Sequence, residues 1–143
     1  MKERLLLVED DRINLKLLTH MLKPYSYQLL TAMSGKEALE MVEQHDPDLI
    51  LLDIRLPDIN GYEICERLKS DQKTKDIPII VTTAFAHQEY REKAFALGAD
   101  EFITKPYLLD SVVERIEKQL TIAKAGPGPD RKIKEPAFSE ETQ

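Results

Sequence analysis

Asp53 closes the apolar run Leu49-Ile50-Leu51-Leu52 on a carboxylate. Glu9 and Asp10 close a second run, Leu5-Leu6-Leu7-Val8, in the same way. A third run, Ile79-Ile80-Val81, leads into Thr82 and Thr83, and a fourth, Phe102-Ile103-Thr104, leads into Lys105-Pro106. If these runs are strands that share one edge of a sheet, that edge collects acids, a hydroxyl and an ammonium. Glu9, Asp10 and Asp53 brought together repel, and one takes up a proton unless a cation intervenes. A hard divalent ion answers this, because Mg²⁺ uses one or two carboxylates and keeps room for a phosphoryl oxygen. Lys105 supplies a point charge for phosphate and Thr83 a hydroxyl donor. A carboxylate is also a nucleophile toward phosphorus, giving an acyl phosphate, and the cation and Lys105 would spread the charge on the transferring oxygens.

Taken singly, each residue has an ordinary explanation. An acid after a strand usually caps the next helix or solvates a turn, and Asp11 stands where the N-cap of the first helix is expected. The joint occurrence in four strands is what such explanations handle badly. His20, His45 and His87 do not pair at metal-ligand spacing and read as solvated. Cys65, the one cysteine, lies in a helical pattern and reads as a small half-buried hydrophobe, so no internal disulfide forms.

The elements that must position these groups alternate along the chain. Leu5 to Val8 reads as a buried strand, and Ile13, Leu17, Leu18, Met21 and Leu22 then recur at helical spacing up to Pro24. Tyr27 to Thr31 is a weaker strand. Ser34-Gly35-Lys36-Glu37 has the capping-box form and opens a helix carrying Ala38, Met41 and Val42. Strand Leu49–Leu52 precedes a helix over Gly61–Lys69, with Ile64, Cys65 and Leu68 on one face. Strand Ile79–Val81 precedes a helix marked by Tyr90, Ala94 and Leu97 and stopped by Gly98 in a left-handed cap. Strand Phe102–Thr104 precedes the clearest amphipathic helix, carrying Leu109, Val112, Val113, Ile116 and Leu120. Such alternation implies an α/β domain with a doubly wound, five-stranded parallel sheet and five helices. Ligands of such a sheet bind beyond the carboxyl ends of the strands, where all the polar residues above fall.

The chain has 143 residues, 42% hydrophobic and 32% charged, with a formal net charge of −6. This suits one domain with a real core and disfavours duplex DNA or an anionic membrane as a direct partner. No stretch reaches membrane-spanning length, and the apolar run after Met1-Lys2-Glu3-Arg4 is too short for a signal peptide. A soluble, reducing, cytoplasmic setting is expected. Past residue 124 the Gly126-Pro127-Gly128-Pro129 break and the scarcity of apolar residues predict a flexible tail or linker start over 125–143 after a domain over 1–124.

The motifs also resemble the receiver domain of two-component response regulators. The stretches that carry the resemblance are Leu6-Leu7-Val8-Glu9-Asp10-Asp11, Pro47 through Gly61 with Asp53 within it, Pro78-Ile79-Ile80-Val81-Thr82-Thr83-Ala84, and Phe102-Ile103-Thr104-Lys105-Pro106. It spans about residues 3 to 123 and implies the flavodoxin-like strand order 2-1-3-4-5. It implies that Asp53 accepts a phosphoryl group from a sensor histidine kinase or phosphotransfer protein. It further implies that Asp10, Asp53 and the backbone carbonyl of Arg55 bind Mg²⁺ (or Mn²⁺), with Glu9 helping through water. Thr83, the Ala84 amide and Lys105 would hold the phosphoryl oxygens, and Lys105–Pro106 would be cis. Thr83 and Phe102 would be the switch pair, altering a partner-binding surface on the last two helices and the strand between them, and a phosphorylation-dependent dimer is allowed. Arg55 and Phe85 would flank the path of the attacking water and slow self-dephosphorylation.

Two features depart from the commonest pattern: the first acid is Glu9 rather than Asp, and Phe102 stands where Tyr is frequent. No DNA-binding or catalytic output segment follows, which implies a stand-alone receiver or a piece of a longer regulator. The resemblance implies a signalling switch that is not an enzyme in the usual sense. The alternative is a Mg²⁺-dependent phosphotransferase or phosphatase with an aspartyl intermediate. Against it, Ile54-Arg55-Leu56-Pro57 follows Asp53 without a second carboxylate two residues on. A nucleotide- or flavin-binding module is disfavoured because no strand ends in a Gly-rich phosphate loop.

Overall fold

In a computed structural model describing residues 2–85 and 87–125, ten elements alternate strictly. They are β1 (Arg4–Val8), α1 (Arg12–Leu22), β2 (Gln28–Ala32), α2 (Gly35–His45), β3 (Leu49–Asp53), α3 (Gly61–Lys69), β4 (Ile79–Thr83), α4 (Gln88–Ala96), β5 (Glu101–Thr104) and α5 (Leu109–Lys124). All strand pairs are parallel, in the order β2-β1-β3-β4-β5. Asp53 and Thr83, expected just past their strands, are the last residues of β3 and β4. The tail expected over 125–143 lies outside the described residues beyond Ala125.

The burial pattern explains why the central strands read as unbroken apolar runs. In β1, Leu5 and Leu7 join α1 and α5 in one core, while Leu6 and Val8 join α2, α3 and α4 in the other. Leu49 and Leu51 of β3 likewise face the first core, and Ile50 and Leu52 the second. A strand covered on both faces needs an apolar side chain at every position. β2, on the edge, mixes exposed Gln28 and Thr31 with buried Leu30 and Ala32.

Local sequence fixes the helix starts. Asp11 caps α1 by accepting the Ile13 and Asn14 amides, at 2.9 and 3.1 Å, as its position suggested. Ser34 caps α2 through the Glu37 amide, but Glu37 reaches back to the Met33 amide at 2.7 Å, one residue earlier than in the usual capping box. Gly98 has φ +106°, the positive value expected where α4 ends. Of the residues spaced for the buried face of α1, Ile13 and Leu17 instead point outward, 77% and 47% exposed. Leu18 and Leu22 are the fully buried residues of that helix, and Leu15 and Met21 pack partly buried beside them.

The loop after Asp53 is held at both ends. Gly61 donates its amide to the Ile54 carbonyl at 2.8 Å, and a Cβ there would meet the Asp53 carbonyl oxygen at 2.5 Å. Only glycine lets α3 start this close to the end of β3. Midway, the Asp58 carboxylate accepts the Gly35 and Lys36 amides at 2.7 and 2.9 Å, tying the loop to the first turn of α2.

Candidate functional site

With strand order 2-1-3-4-5, the chain reverses its direction of travel across the sheet between β1 and β3. Their carboxyl ends carry Glu9, Asp10 and Asp53. Backbone pairing sets each group in place. The Glu9 amide donates to Ala32, the Ile54 amide to Thr82 and the Lys105 amide to Thr83, at 3.0, 3.1 and 2.7 Å. The site residues therefore inherit the rigidity of the sheet instead of lying on free loops.

Carboxylate oxygens of Glu9, Asp10 and Asp53 all lie within 4.8 Å of one another. Among the described residues, this is the one group of three potential ligands that could hold a cation. Glu9 and Asp53 are buried and Asp10 is exposed. Lys105 Nζ stands between the buried pair, 2.8 Å from Glu9 Oε1 and 3.0 Å from Asp53 Oδ2. Burial and the neighbouring Glu9 push the Asp53 carboxyl up to about 6, against a weaker downward pull from Lys105. Burial pulls the Lys105 ammonium down, but its bonds to Glu9 and Asp53 outweigh this and hold it above its ordinary value. Two buried carboxylates sharing one ammonium, with a third acid at the rim, remain short of positive charge. The donor set is all hard oxygen, which fits Mg²⁺.

Glu9, Asp10, Asp53, Arg55, Ala84 and Lys105 line one open cleft of about 440 Å³ together with Asn14. Thr83 does not line it. Its side chain is buried, and Oγ1 accepts the Phe85 amide at 3.1 Å. Phe102 is already inside the core, 4% exposed. The Lys105–Pro106 bond is cis. Arg55 lays its guanidinium over the Phe85 ring, 4.8 Å from the centroid, and Phe85 stacks on Tyr90 at 5.3 Å. The sequence reading missed one contact below the site, a bond of 3.0 Å from the Tyr107 hydroxyl to Glu9 Oε1. No sequence signal marks it, since the partners are far apart in the chain and Tyr107 falls where an apolar residue would serve. The histidines stay outside the site. His20 and His45 lie in the last turns of α1 and α2, and His87 precedes α4 without a side-chain cap bond.

The response regulator receiver domain family matches residues 5–117. The polar-differentiation response regulator DivK of Brucella ovis is 36% identical over 120 residues, which cover 84% of this chain and 98% of that protein. Among solved structures, a response regulator from Chloroflexus aurantiacus is 31% identical with a TM-score of 0.82, covering 85% of this chain and 99% of that one. A CheY-like receiver domain protein from Methanospirillum hungatei is 28% identical with the same TM-score, covering 89% and 100%.

The raised Asp53 pKa has a signed consequence for stability. Its folded value, about 6, lies above the ordinary 3.8, so the folded state holds this proton longer. Stability from this group is full below the ordinary value and is lost as pH rises through about 6. Without metal, Asp53→Asn is therefore expected to unfold at higher urea than the wild type near pH ~7.5. The difference should close near pH ~4, where the wild-type carboxyl is largely neutral in the folded state. Urea midpoints of both proteins at the two pH values check this, and equal midpoints at the higher pH would contradict it.

Proposed function

The chain belongs to the response regulator receiver domain family, and we propose that it switches by accepting a phosphoryl group on Asp53. The observation that carries this reading is the buried Asp53 carboxylate held 3.0 Å from Lys105 Nζ beside Glu9 and Asp10. The donor is a phosphohistidine of a sensor kinase or phosphotransfer protein. An Asp53 oxygen forms the new P–O bond as the P–N bond breaks, and the imidazole keeps the electron pair and takes up a proton. Glu9, Asp10, Asp53 and the Arg55 carbonyl would hold Mg²⁺, which would supply positive charge to offset the acids and the phosphoryl oxygens. Lys105 pairs with those oxygens once it leaves Asp53, and the Ala84 amide and Thr83 hydroxyl complete their cradle. Turning Thr83 toward the phosphoryl group breaks its bond with the Phe85 amide. Two arrangements of this segment then differ in their contacts with the phosphoryl group, as a population switch requires.

On α1, beside the cleft-lining Asn14, the exposed Ile13 and Leu17 stand four residues apart on one face. The family relationship favours a receiver over a phosphatase-type enzyme, and chemistry beyond self-phosphorylation and self-dephosphorylation is not part of the reading.

Incubation with acetyl phosphate and Mg²⁺ should give a base-labile adduct of one phosphoryl group on Asp53 by mass spectrometry. Asp53→Asn should keep the fold and give none, whereas unchanged labelling of that variant would refute the assignment. The lifetime of the adduct is set by the cover over the cleft. Phe85, beneath the Arg55 guanidinium, offers no group that orients a water, and misalignment in an in-line displacement is costly. Decay of the aspartyl phosphate should be slow in the wild type and about tenfold faster or more in Arg55→Asn or Phe85→Glu. If neither substitution speeds decay, these two positions do not guard the phosphoryl group.

A further inference from the structure

Glu9 differs from an aspartate at the same place by one more rotatable bond. Its carboxylate is 1% exposed, so that freedom must be removed by protein groups. Three do so. Lys105 Nζ binds Oε1 at 2.8 Å, the Asp11 amide lies 3.3 Å from Oε2, and the Tyr107 hydroxyl donates to Oε1 at 3.0 Å. These contacts differ in permanence. Lys105 is the group that must turn to a phosphoryl oxygen, and the Asp11 amide is the most distant of the three. Tyr107 has no competing role in the cleft. Its ring is buried in the core with α1 and α5, and among the described residues its oxygen otherwise meets Thr82 Oγ1, at 3.5 Å. The single phenol proton is directed at Glu9 Oε1, the nearer of the two oxygens.

We propose that Tyr107 is a positioning residue for the cation: its hydroxyl holds Glu9 Oε1 from the core side and so fixes the carboxylate toward Asp10 and Asp53. This rests on the reading of the acidic cleft as a Mg²⁺ site. Groups that orient a metal ligand without touching the metal typically change its affinity ten- to a hundredfold. A tyrosine below the site thus supports the longer acid, with the hydroxyl removing the freedom that the extra methylene adds.

The test is Mg²⁺ affinity by calorimetric titration of the unphosphorylated protein. Tyr107→Phe keeps the ring and removes only the hydroxyl, and its dissociation constant should rise about tenfold. The cycle with Glu9→Gln separates positioning from a general loosening of the fold. In the Glu9→Gln background, adding Tyr107→Phe should have little further effect. An unchanged affinity in Tyr107→Phe, or an equal loss in both backgrounds, would overturn the proposal. In the unaltered protein, the Tyr107 hydroxyl proton should be slow to exchange with solvent in NMR spectra and should shift when Mg²⁺ is added. A hydroxyl proton indifferent to Mg²⁺ would also overturn it. A wild type that binds no Mg²⁺ would instead refute the cation site itself.

Discussion

Everything at the carboxyl edge of this sheet depends on an unequal balance of charge. Three carboxylates meet within 4.8 Å, and Lys105 bridges the two that are buried. Burial sharpens the imbalance, because charges in a poorly screened site repel strongly and cannot be left without partners. The structure around the site serves to hold it in this state. β1 and β3 deliver the acids from adjacent strands, and Lys105, just past β5, reaches across to both buried acids. Gly61 and Asp58 hold the loop that follows Asp53, at the start of α3 and the start of α2. An edge that lacks positive charge is prepared for a cation and for a group that arrives with one.

That imbalance also connects chemistry to partner recognition in the proposed reading. A phosphoryl group on Asp53 claims Lys105, leaves Glu9 to the cation and to Tyr107, and offers Thr83 a better partner than the Phe85 amide. Release of that amide bears on Phe85, which sits in a stack joining Arg55, Phe85 and Tyr90 at the start of α4. A change of one group's charge is thereby passed to a helix through packed rings, which is how a local electrostatic event gains a distant readout. In that reading Phe102, buried here, leaves Thr83 as the residue that would turn.

The fold was legible in the sequence because its signals are local. Runs such as Leu49–Leu52 declare doubly covered strands, and Asp11, Ser34 and Gly98 mark helix ends by chemistry confined to a few residues. The acids and Lys105 were legible because each closes such a run, and the edge on which they gather follows from parallel pairing. What escaped depends on groups distant in the chain. Nothing near Tyr107 announces a bond to Glu9, and Arg55 gives no sign that its guanidinium rests on the Phe85 ring. Ile13 and Leu17 satisfy helical periodicity but face outward, because spacing defines a stripe and not what covers it. The strands also run one or two residues further than their apolar runs, since Asp53, Thr82 and Thr83 keep their ladder pairing.

The central claim is that the acidic edge is short of one cation, and its most direct test is the effect of Mg²⁺ on the thermal stability of the unphosphorylated protein. An ion that binds only the folded state stabilises it by mass action, about 2.7 kcal/mol at a hundredfold excess over its dissociation constant. The melting temperature should rise with Mg²⁺ in the wild type, and the rise should vanish in Asp10→Ala, which removes the exposed ligand while leaving the buried pair to Lys105. A wild-type melting temperature indifferent to millimolar Mg²⁺, or an equal rise in Asp10→Ala, would contradict it.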